Sequence, residues 1–216
     1  MNIQVGSKEH VSAYIEVLHR LGKVKGYSQK YEEDNEDVDW YKKELSYNLE
    51  GNSNDIDFAA YDKQEALKAK EKDPDRIKAA EGILRIEVRL MKPKSIKKFT
   101  CETDTSKQIK DLSKHSKEIF LKIFTQIVPT GDLFKKQDAI KIIEENITKK
   151  KQQEKMLRLL ELIPKKRSLL LAQKEINDRG MDKVMRGFAK LNLSPVTVGK
   201  RAKIKCLKNL YDYLLE

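Results

Sequence analysis

The sequence has little of what turn-rich, disulfide-bonded or membrane-spanning proteins need. Its 216 residues include nine glycines and five prolines, which favours helices over an all-β sandwich. Its two cysteines, Cys101 and Cys206, cannot form a zinc site of the usual spacing with the three histidines, so we expect two free thiols in a reducing compartment. No apolar run approaches the roughly 18 residues of a membrane span, and residues 1–10 lack the regions of a signal peptide. We therefore expect a cytoplasmic protein with no membrane partner.

The short motifs of several large enzyme classes are also absent. The chain contains no G-x-x-x-x-G-K-[ST] loop, no G-x-G-x-x-G and no G-x-S-x-G. Such motifs surround phosphates with backbone N–H groups or expose a nucleophilic serine. The sequence therefore lacks the motifs that usually identify nucleotide hydrolases, dinucleotide-dependent enzymes and serine hydrolases.

Positive charge is concentrated in the second half of the chain. The formal net charge is +11, and residues 1–100 contain 19 basic and 19 acidic side chains. Residues 101–216 contain 26 basic and 15 acidic side chains and so carry the whole excess. This asymmetry favours a polyanionic partner, nucleic acid first and an anionic membrane surface second. A solvated basic surface with no ligand explains the composition equally well.

Hydrophobic periodicity predicts a sheet in the first part of the chain. Residues 55–62 and 83–91 alternate between apolar and polar side chains, which is typical of strands with one buried face and one open face. Residues 31–39 read as a solvated acidic loop. Further predicted elements are a strand at 2–5, a helix at 8–23 capped by Ser7, a strand within 40–50 and a helix at 64–72, before Pro74.

After Pro93 the pattern changes to helices. They are predicted at 103–127, 135–147, 152–163 (ending at Pro164), 167–177, 181–191 and 195–214. The fold class is therefore predicted to be α+β, a small mostly antiparallel sheet with helices on one face, followed by an all-helical C-terminal region. We expect two domains, a sheet-bearing domain at 1–100 and a basic helical domain at 101–216.

The segment Met181–Leu214 has the pattern of a helix-turn-helix. Ser194 is a favourable N-cap, and Pro195 suits the first position of the second helix. A helix in a DNA groove would place its cations near phosphates, although an ordinary helical hairpin fits the pattern as well. The predicted DNA-binding cations of this helix are Lys200, Arg201, Lys203, Lys205 and Lys208.

The polar faces of the two alternating strands carry candidate chemistry. If the strands are neighbours, the carboxylates of Asp57 and Glu87 can hold a divalent metal ion, Mg²⁺ or Mn²⁺. The metal ion and nearby cations can stabilise charge on a phosphate that a tyrosine hydroxyl attacks. The spacing alone favours a simpler interpretation, in which Glu87 forms ion pairs on an exposed face. The remaining residues of this candidate site are Tyr61, Lys63, Arg85 and Arg89.

Two motifs resemble a known family. The run N-D-I-D-F-A-A-Y-D-K-Q-E-A-L and the later I-L-R-I-E-V-R-L resemble the I-x-x-Y-D-K and L-R-x-E-x-R strands of rolling-circle replication initiators. These are initiators of the filamentous-phage type and their plasmid relatives. The segments Val11–Tyr31 and L-N-L-S-P-V-T are similar to other parts of these proteins. The resemblance implies a metal-assisted endonuclease and strand transferase whose tyrosine attacks origin DNA. Tyr61 and Lys63 match the first motif, and Glu87 matches the acidic position of the second.

The chain departs from the family pattern before its first motif. The family has further strands there, with metal ligands that often form a His-hydrophobe-His group, and no such group occurs in this sequence. We therefore expect an initiator that lacks its N-terminal part. Three hypotheses remain: an initiator-like protein that binds single-stranded or origin duplex DNA and nicks it, a non-catalytic DNA-binding regulator, or an unrelated interaction protein. A host replication protein, or self-association through a sheet edge, is a further possible partner.

Overall fold

A computed structural model describes residues 1–30, 45–53, 55–70, 73–177 and 179–215. The predicted acidic loop at 31–39 lies outside the described residues, as does the beginning of the strand predicted within 40–50.

A five-stranded antiparallel sheet occupies the first part of the chain, in the order β1-β5-β4-β3-β2. The two alternating segments form its central pair, with Tyr61 opposite Arg85 and Asp57 opposite Arg89. The strands predicted at 2–5, 55–62 and 83–91 are confirmed, whereas the second strand was not predicted. The strands are β1 (Asn2–Gln4), β2 (Tyr27–Gln29), β3 (Ser46–Gly51), β4 (Ile56–Asp62) and β5 (Ile83–Leu90).

Helix α1 (Lys8–Leu21) covers one face of the sheet. Tyr14 and Leu18 on the helix pack against Phe58, Leu84 and Ile86 on the strands, and all five side chains are buried. Each large apolar side chain that is fully buried contributes about 1.5–3 kcal/mol to stability. Burial of this face is therefore the main force that holds α1 to the sheet.

The end of α1 makes a close contact with a distant part of the chain. Gly22 ends the helix with φ of 62°, in the left-handed region that glycine adopts most easily. A Cβ added to Gly22 would lie 2.0 Å from the carbonyl oxygen of Arg167. Position 22 therefore requires glycine for its conformation and for the close approach of the end of α1 to Arg167.

Short helices connect the later strands: α2 (Lys63–Lys68), α3 (Pro74–Ala79) and α4 (Pro93–Ile96). The carboxylate of Asp62 caps α2 by accepting hydrogen bonds from the backbone N–H groups of Gln64 and Glu65, at 2.9 and 3.2 Å. Strand β4 therefore passes directly into a helix at Lys63. The helix predicted at 64–72 is shorter than expected. Pro74, before which that helix was predicted to end, is the first residue of α3.

The second half of the chain is mostly helical. The helix predicted at 103–127 is divided at His115, and α8 continues through Pro164 to Lys166 instead of ending before it. Pro164 removes one helical hydrogen bond, and because only two residues of α8 follow it, little of the helix depends on the backbone beyond the proline. The helices are α5 (Thr105–Lys114), α6 (Ser116–Ile127), α7 (Lys136–Asn146), α8 (Lys150–Lys166), α9 (Leu169–Ile176) and α10 (Met181–Lys190).

The described residues form two large hydrophobic cores and a small cluster of Ala59, Tyr61 and Ala66. Helices α7 to α10 enclose one, around residues such as Ile143, Met156 and Phe188. The sheet core takes Phe124 from α6 and Leu210 from the last helix, α11 (Leu210–Leu215), so it contains residues from both sides of position 100. The domain boundary predicted at residue 100 stays a prediction.

The predicted helix at 195–214 is wrong, and so is the helix-turn-helix. Residues 191–205 form turns and extended chain, β7 (Cys206–Leu207) pairs with β6 (Leu133–Phe134), and only α11 is helical. Tertiary contacts replace the helix: the carboxylate of Asp132 accepts hydrogen bonds from the backbone N–H of Asn209 at 2.7 Å and from Asn192 Nδ2 at 3.1 Å. Ser194 accepts the N–H of Val196 in a local turn and does not cap a helix.

The remaining expectations on cysteines and membrane spans have simple outcomes. Cys101 and Cys206 are free, as predicted, and both are exposed. Within the ranges that the structure describes, no helix has both the length and the apolar character needed to cross a membrane.

Candidate functional site

The sheet face opposite α1 is polar and carries the residues of both sequence motifs. Strand alternation places Tyr61 and Asp57 of β4 on this face, together with Arg85, Glu87 and Arg89 of β5. Ala59, opposite Glu87, is the small residue between the two polar positions of β4. The structure therefore confirms that the two motif strands are neighbours and that their polar side chains share one face.

Glu87 lies at the centre of a tyrosine–arginine cluster. The hydroxyl of Tyr61 donates a hydrogen bond to Glu87 Oε1 at 2.9 Å. Arg85 Nε lies 2.6 Å from the same oxygen as an ion pair. Arg89 donates from Nε and Nη2 to Glu87 Oε2, at 3.0 and 2.6 Å. One carboxylate thus orients two guanidinium groups, both about one-third exposed.

The proton of this cluster stays on Tyr61. Burial, and then the hydrogen bond and charge of Glu87, raise the pKa of Tyr61 to about 12. Burial acts to raise the pKa of Glu87, but hydrogen bonds from Arg89 and Tyr61 and the charges of both arginines outweigh it and lower this pKa. Glu87 is therefore a weak base, and Tyr61 keeps its proton at neutral pH.

Lys63 adds a third cation beside the cluster. It is the first residue of α2. Burial and the charge of Arg85 lower the pKa of Lys63, and the charge of Glu87 partly offsets this effect. Three cations therefore lie near the carboxylate of Glu87, and the carboxylate of Asp57, opposite Arg89 on the same face, offsets part of their charge. The remaining excess of positive charge attracts anions.

The predicted metal ligands Asp57 and Glu87 have different surroundings on this face. Both oxygens of Glu87 already contact arginines, and the carboxylate opposite Asp57 in the neighbouring strand is Glu50. Burial raises the pKa of Asp57, and its Oδ1 accepts no hydrogen bond from the described residues. In that part of the chain no three His, Cys, Asp or Glu side chains form a group that could hold a metal ion. A divalent metal ion at this face stays a prediction.

A groove of about 740 Å³ borders β5 and brings aromatic rings next to the two arginines. Phe120 of α6 and Tyr213 of α11 line this β5 groove, together with Arg85, Arg89 and Lys117. Phe120 stacks on Phe124 with ring centroids 5.5 Å apart, so its ring is held in a fixed orientation. Cations and aromatic rings in one groove are the combination that binds phosphates and unstacked bases of single-stranded nucleic acid.

The predicted recognition-helix cations lie on an irregular, exposed segment. Lys200, Arg201, Lys203, Lys205 and Lys208 are all exposed. The carbonyl oxygen of Lys208 accepts a hydrogen bond from the Tyr14 hydroxyl at 2.5 Å, which anchors the segment to α1. Lys208 Nζ lies 4.7 Å from the ring centroid of Tyr213, which lines the β5 groove, so this cation reaches the edge of the groove. Their contact with DNA stays a prediction.

Sequence reasoning found the Glu87 cluster but missed the other wall of the groove. Phe120 and Tyr213 are separated from β5 along the chain, and no spacing indicates that they meet it. Comparison with known protein families, curated proteins and solved structures found no match for this chain. The geometry of the site is therefore the basis for its function.

Proposed function

We propose that the protein is a replication-initiator-like DNA-binding protein that holds single-stranded DNA in the β5 groove. The observation that supports this most directly is the pairing of Arg85 and Arg89 with the rings of Phe120 and Tyr213 around one groove. The concentration of positive charge in residues 101–216 and the two initiator-like motifs point to the same class of partner.

Each group in the groove has a distinct task. Arg85 and Arg89 bind phosphate oxygens, since guanidinium groups match the geometry of phosphates. Phe120 and Tyr213 stack on bases, and each such contact contributes about 1–3 kcal/mol to single-strand binding. The carboxylate of Glu87 holds both guanidinium groups in position.

Tyr61 is a positioning residue in this proposal. It is almost fully buried, and its hydroxyl hydrogen-bonds Glu87, which keeps the carboxylate between the arginines. Metal-dependent nicking of origin DNA through Tyr61 is the second candidate function. The match of Tyr61, Lys63 and Glu87 to the initiator motifs favours this function. Against it, the raised pKa of Tyr61 makes its hydroxyl a poor nucleophile unless another group removes the proton or offsets the charge of the phenolate.

Titration of a fluorescent single-stranded oligonucleotide tests the proposal. The double variant Phe120→Leu/Tyr213→Leu keeps apolar side chains but removes both rings, and we expect at least 10-fold weaker binding. Lys117→Gln should weaken binding less than the double variant does. Its matched control is Lys114→Gln, because Lys114 is exposed on a neighbouring helix and does not line the groove. Unchanged affinity of the double variant would exclude the β5 groove.

A denaturing gel of the same samples with Mg²⁺ or Mn²⁺ separates the two candidate functions. A cleaved strand attached to the wild-type protein, and lost in Tyr61→Phe, would support nicking. Binding without cleavage supports the positioning role of Tyr61. An absence of DNA binding at physiological salt would favour an acidic protein partner instead.

A further inference from the structure

A second groove lies on the helical core, away from both sequence motifs. Its volume is about 660 Å³, and it lies between α8 and the connection from α9 to α10. We refer to it as the α8 groove. It is lined by Lys151, Glu154, Lys155, Arg158, Ile176, Asn177 and Arg179.

Cations follow one face of α8 along this groove. Lys151, Lys155 and Arg158 are spaced by four and three residues, so they lie on neighbouring turns of the same helix face. At about 1.5 Å of rise per residue, they span about 10 Å of the helix axis. One strand of a DNA duplex carries a phosphate about every 3.4 Å of its axis, so this row faces two or three successive phosphates.

Arg179 supplies a cation from the opposite wall. Asn177 ends α9 with φ of 43°, in the left-handed region, and Arg179 follows in the connection to α10. Among the described residues, no carboxylate forms an ion pair with Lys151, Arg158 or Arg179, whereas Lys166 of the same helix α8 pairs with Glu175. Lys151, Arg158 and Arg179 are therefore placed without the neutralisation by a described carboxylate that Lys166 has, although the carboxylate of Glu154 also lines the groove.

The lining of the α8 groove distinguishes its ligand from that of the β5 groove. Among the described residues that line it, Ile176 is the one large apolar residue and none is aromatic. A groove of this composition cannot stack unpaired bases or bury an apolar peptide. It can contact phosphates, which in a duplex face outward while the bases are stacked inside.

We infer that the α8 groove binds the phosphate backbone of double-stranded DNA. This inference rests on the proposed DNA-binding function and assigns the duplex to a site separate from the single-strand site. The two sites have different chemistry: arginines with aromatic rings at β5, and cations without rings at α8. The duplex contacts involve no sequence reading, since phosphate contacts position a protein without specifying bases.

The test compares two triple variants of the full chain. The α8 variant is Lys151→Gln/Arg158→Gln/Arg179→Gln. The α5 control is Lys107→Gln/Lys110→Gln/Lys114→Gln, which removes the same charge from exposed positions outside both grooves. All six residues are exposed, so both variants should fold, and thermal unfolding followed by circular dichroism checks this. Binding is measured for a blunt duplex and for a single strand over a range of salt concentrations.

We expect the α8 variant to bind the duplex at least 10-fold more weakly than wild type. The slope of log K against log [salt] should fall in magnitude by about 2–3, since each lost phosphate contact removes about 0.9. Its single-strand affinity should stay within about twofold of wild type. The α5 control should keep most of the duplex affinity.

Each other outcome overturns the inference in a recognisable way. Unchanged duplex binding by the α8 variant, with single-strand binding intact, excludes the α8 groove as the duplex site and does not contradict the proposed function. Equal losses in the α8 variant and the α5 control show a general charge effect and no built site. Failure of the wild-type protein to bind either DNA overturns the proposed function, and this inference with it.

Discussion

The hydroxyl of Tyr61 and the carboxylate of Glu87 are joined by a hydrogen bond of 2.9 Å that crosses the central strand pair. The bond runs diagonally, since Tyr61 is opposite Arg85 and Glu87 is opposite Ala59. It links the two motifs directly, and through Glu87 it reaches both arginines of the β5 groove. Tyr61 and Glu87 therefore act as one unit, and a change in either should be measurable at the other.

Glu87→Gln should lower the pKa of Tyr61 from about 12 toward the value that burial alone would set, because Glu87 raises it through a hydrogen bond and its charge. An ultraviolet titration of tyrosine ionisation, compared with Tyr61→Phe to identify the signal, measures this pKa. Single-strand affinity should also fall, since the two arginines lose the carboxylate that orients them. An unchanged Tyr61 titration in Glu87→Gln would contradict the linkage.

Stability should fall as the pH rises above about 10. Burial raises the pKa of Tyr211 to about 12, and burial together with Glu87 does the same for Tyr61. An unfolded tyrosine ionises near pH 10, so ionisation favours the unfolded chain between about pH 10 and pH 12, while the contribution is fully present below pH 10. Urea midpoints measured from pH 8 to 11 test this. Tyr61→Phe should show a shallower decline than wild type.

Asp132→Ala should destabilise the fold by about 1–3 kcal/mol, because it leaves the N–H of Asn209 and the amide of Asn192 without their acceptor. Urea unfolding measures the change in free energy. Limited proteolysis should also cut residues 195–209 faster, since this carboxylate joins that segment to β6. The control is Asp138→Ala, an exposed carboxylate in the first turn of α7, for which a small change is expected. Equal effects of the two variants would argue against this role of Asp132.

Gly22→Ala should be far more destabilising than Gly26→Ala. Both glycines have positive φ, 62° and 84°, so backbone strain should destabilise an alanine variant at either position by about 1–2 kcal/mol. At Gly22 the new Cβ would also collide with the carbonyl of Arg167, whereas nothing lies within 4 Å at Gly26. The difference between the two unfolding free energies therefore measures the close approach of α1 to the end of α8. Similar unfolding free energies for the two variants would show that the contact with Arg167 rearranges at little energetic cost.

The sheet and its polar cluster could be predicted because their pattern is local. Alternation along 55–62 and 83–91 determines which side chains share a face, and antiparallel pairing of two such strands brings Tyr61 near Glu87. The α+β class follows from the same alternation together with the helical spacing after Pro93.

The C-terminal segment could not be predicted because tertiary contacts decide its conformation. Residues 195–209 contain four helix-compatible lysines and Leu207. Even so, the N–H of Val198 donates a hydrogen bond to the carbonyl of Phe134 at 2.9 Å, and Val196 and Val198 are buried. The β5 groove was missed for a related reason. Its aromatic wall comes from helices whose placement beside β5 depends on the sheet core.

The return of residues 207–214 to the sheet core has a consequence for how the protein is made. Leu207, Leu210 and Leu214 pack in the same core as α1, and Tyr14 bonds the carbonyl of Lys208 across 194 positions of sequence. A ribosome adds about 5–20 residues per second, so residues 134–206 occupy on the order of 4–15 s of synthesis before those leucines exist. During this interval the helices of the second core can assemble, while apolar surface on the nascent sheet stays uncovered and open to chaperones.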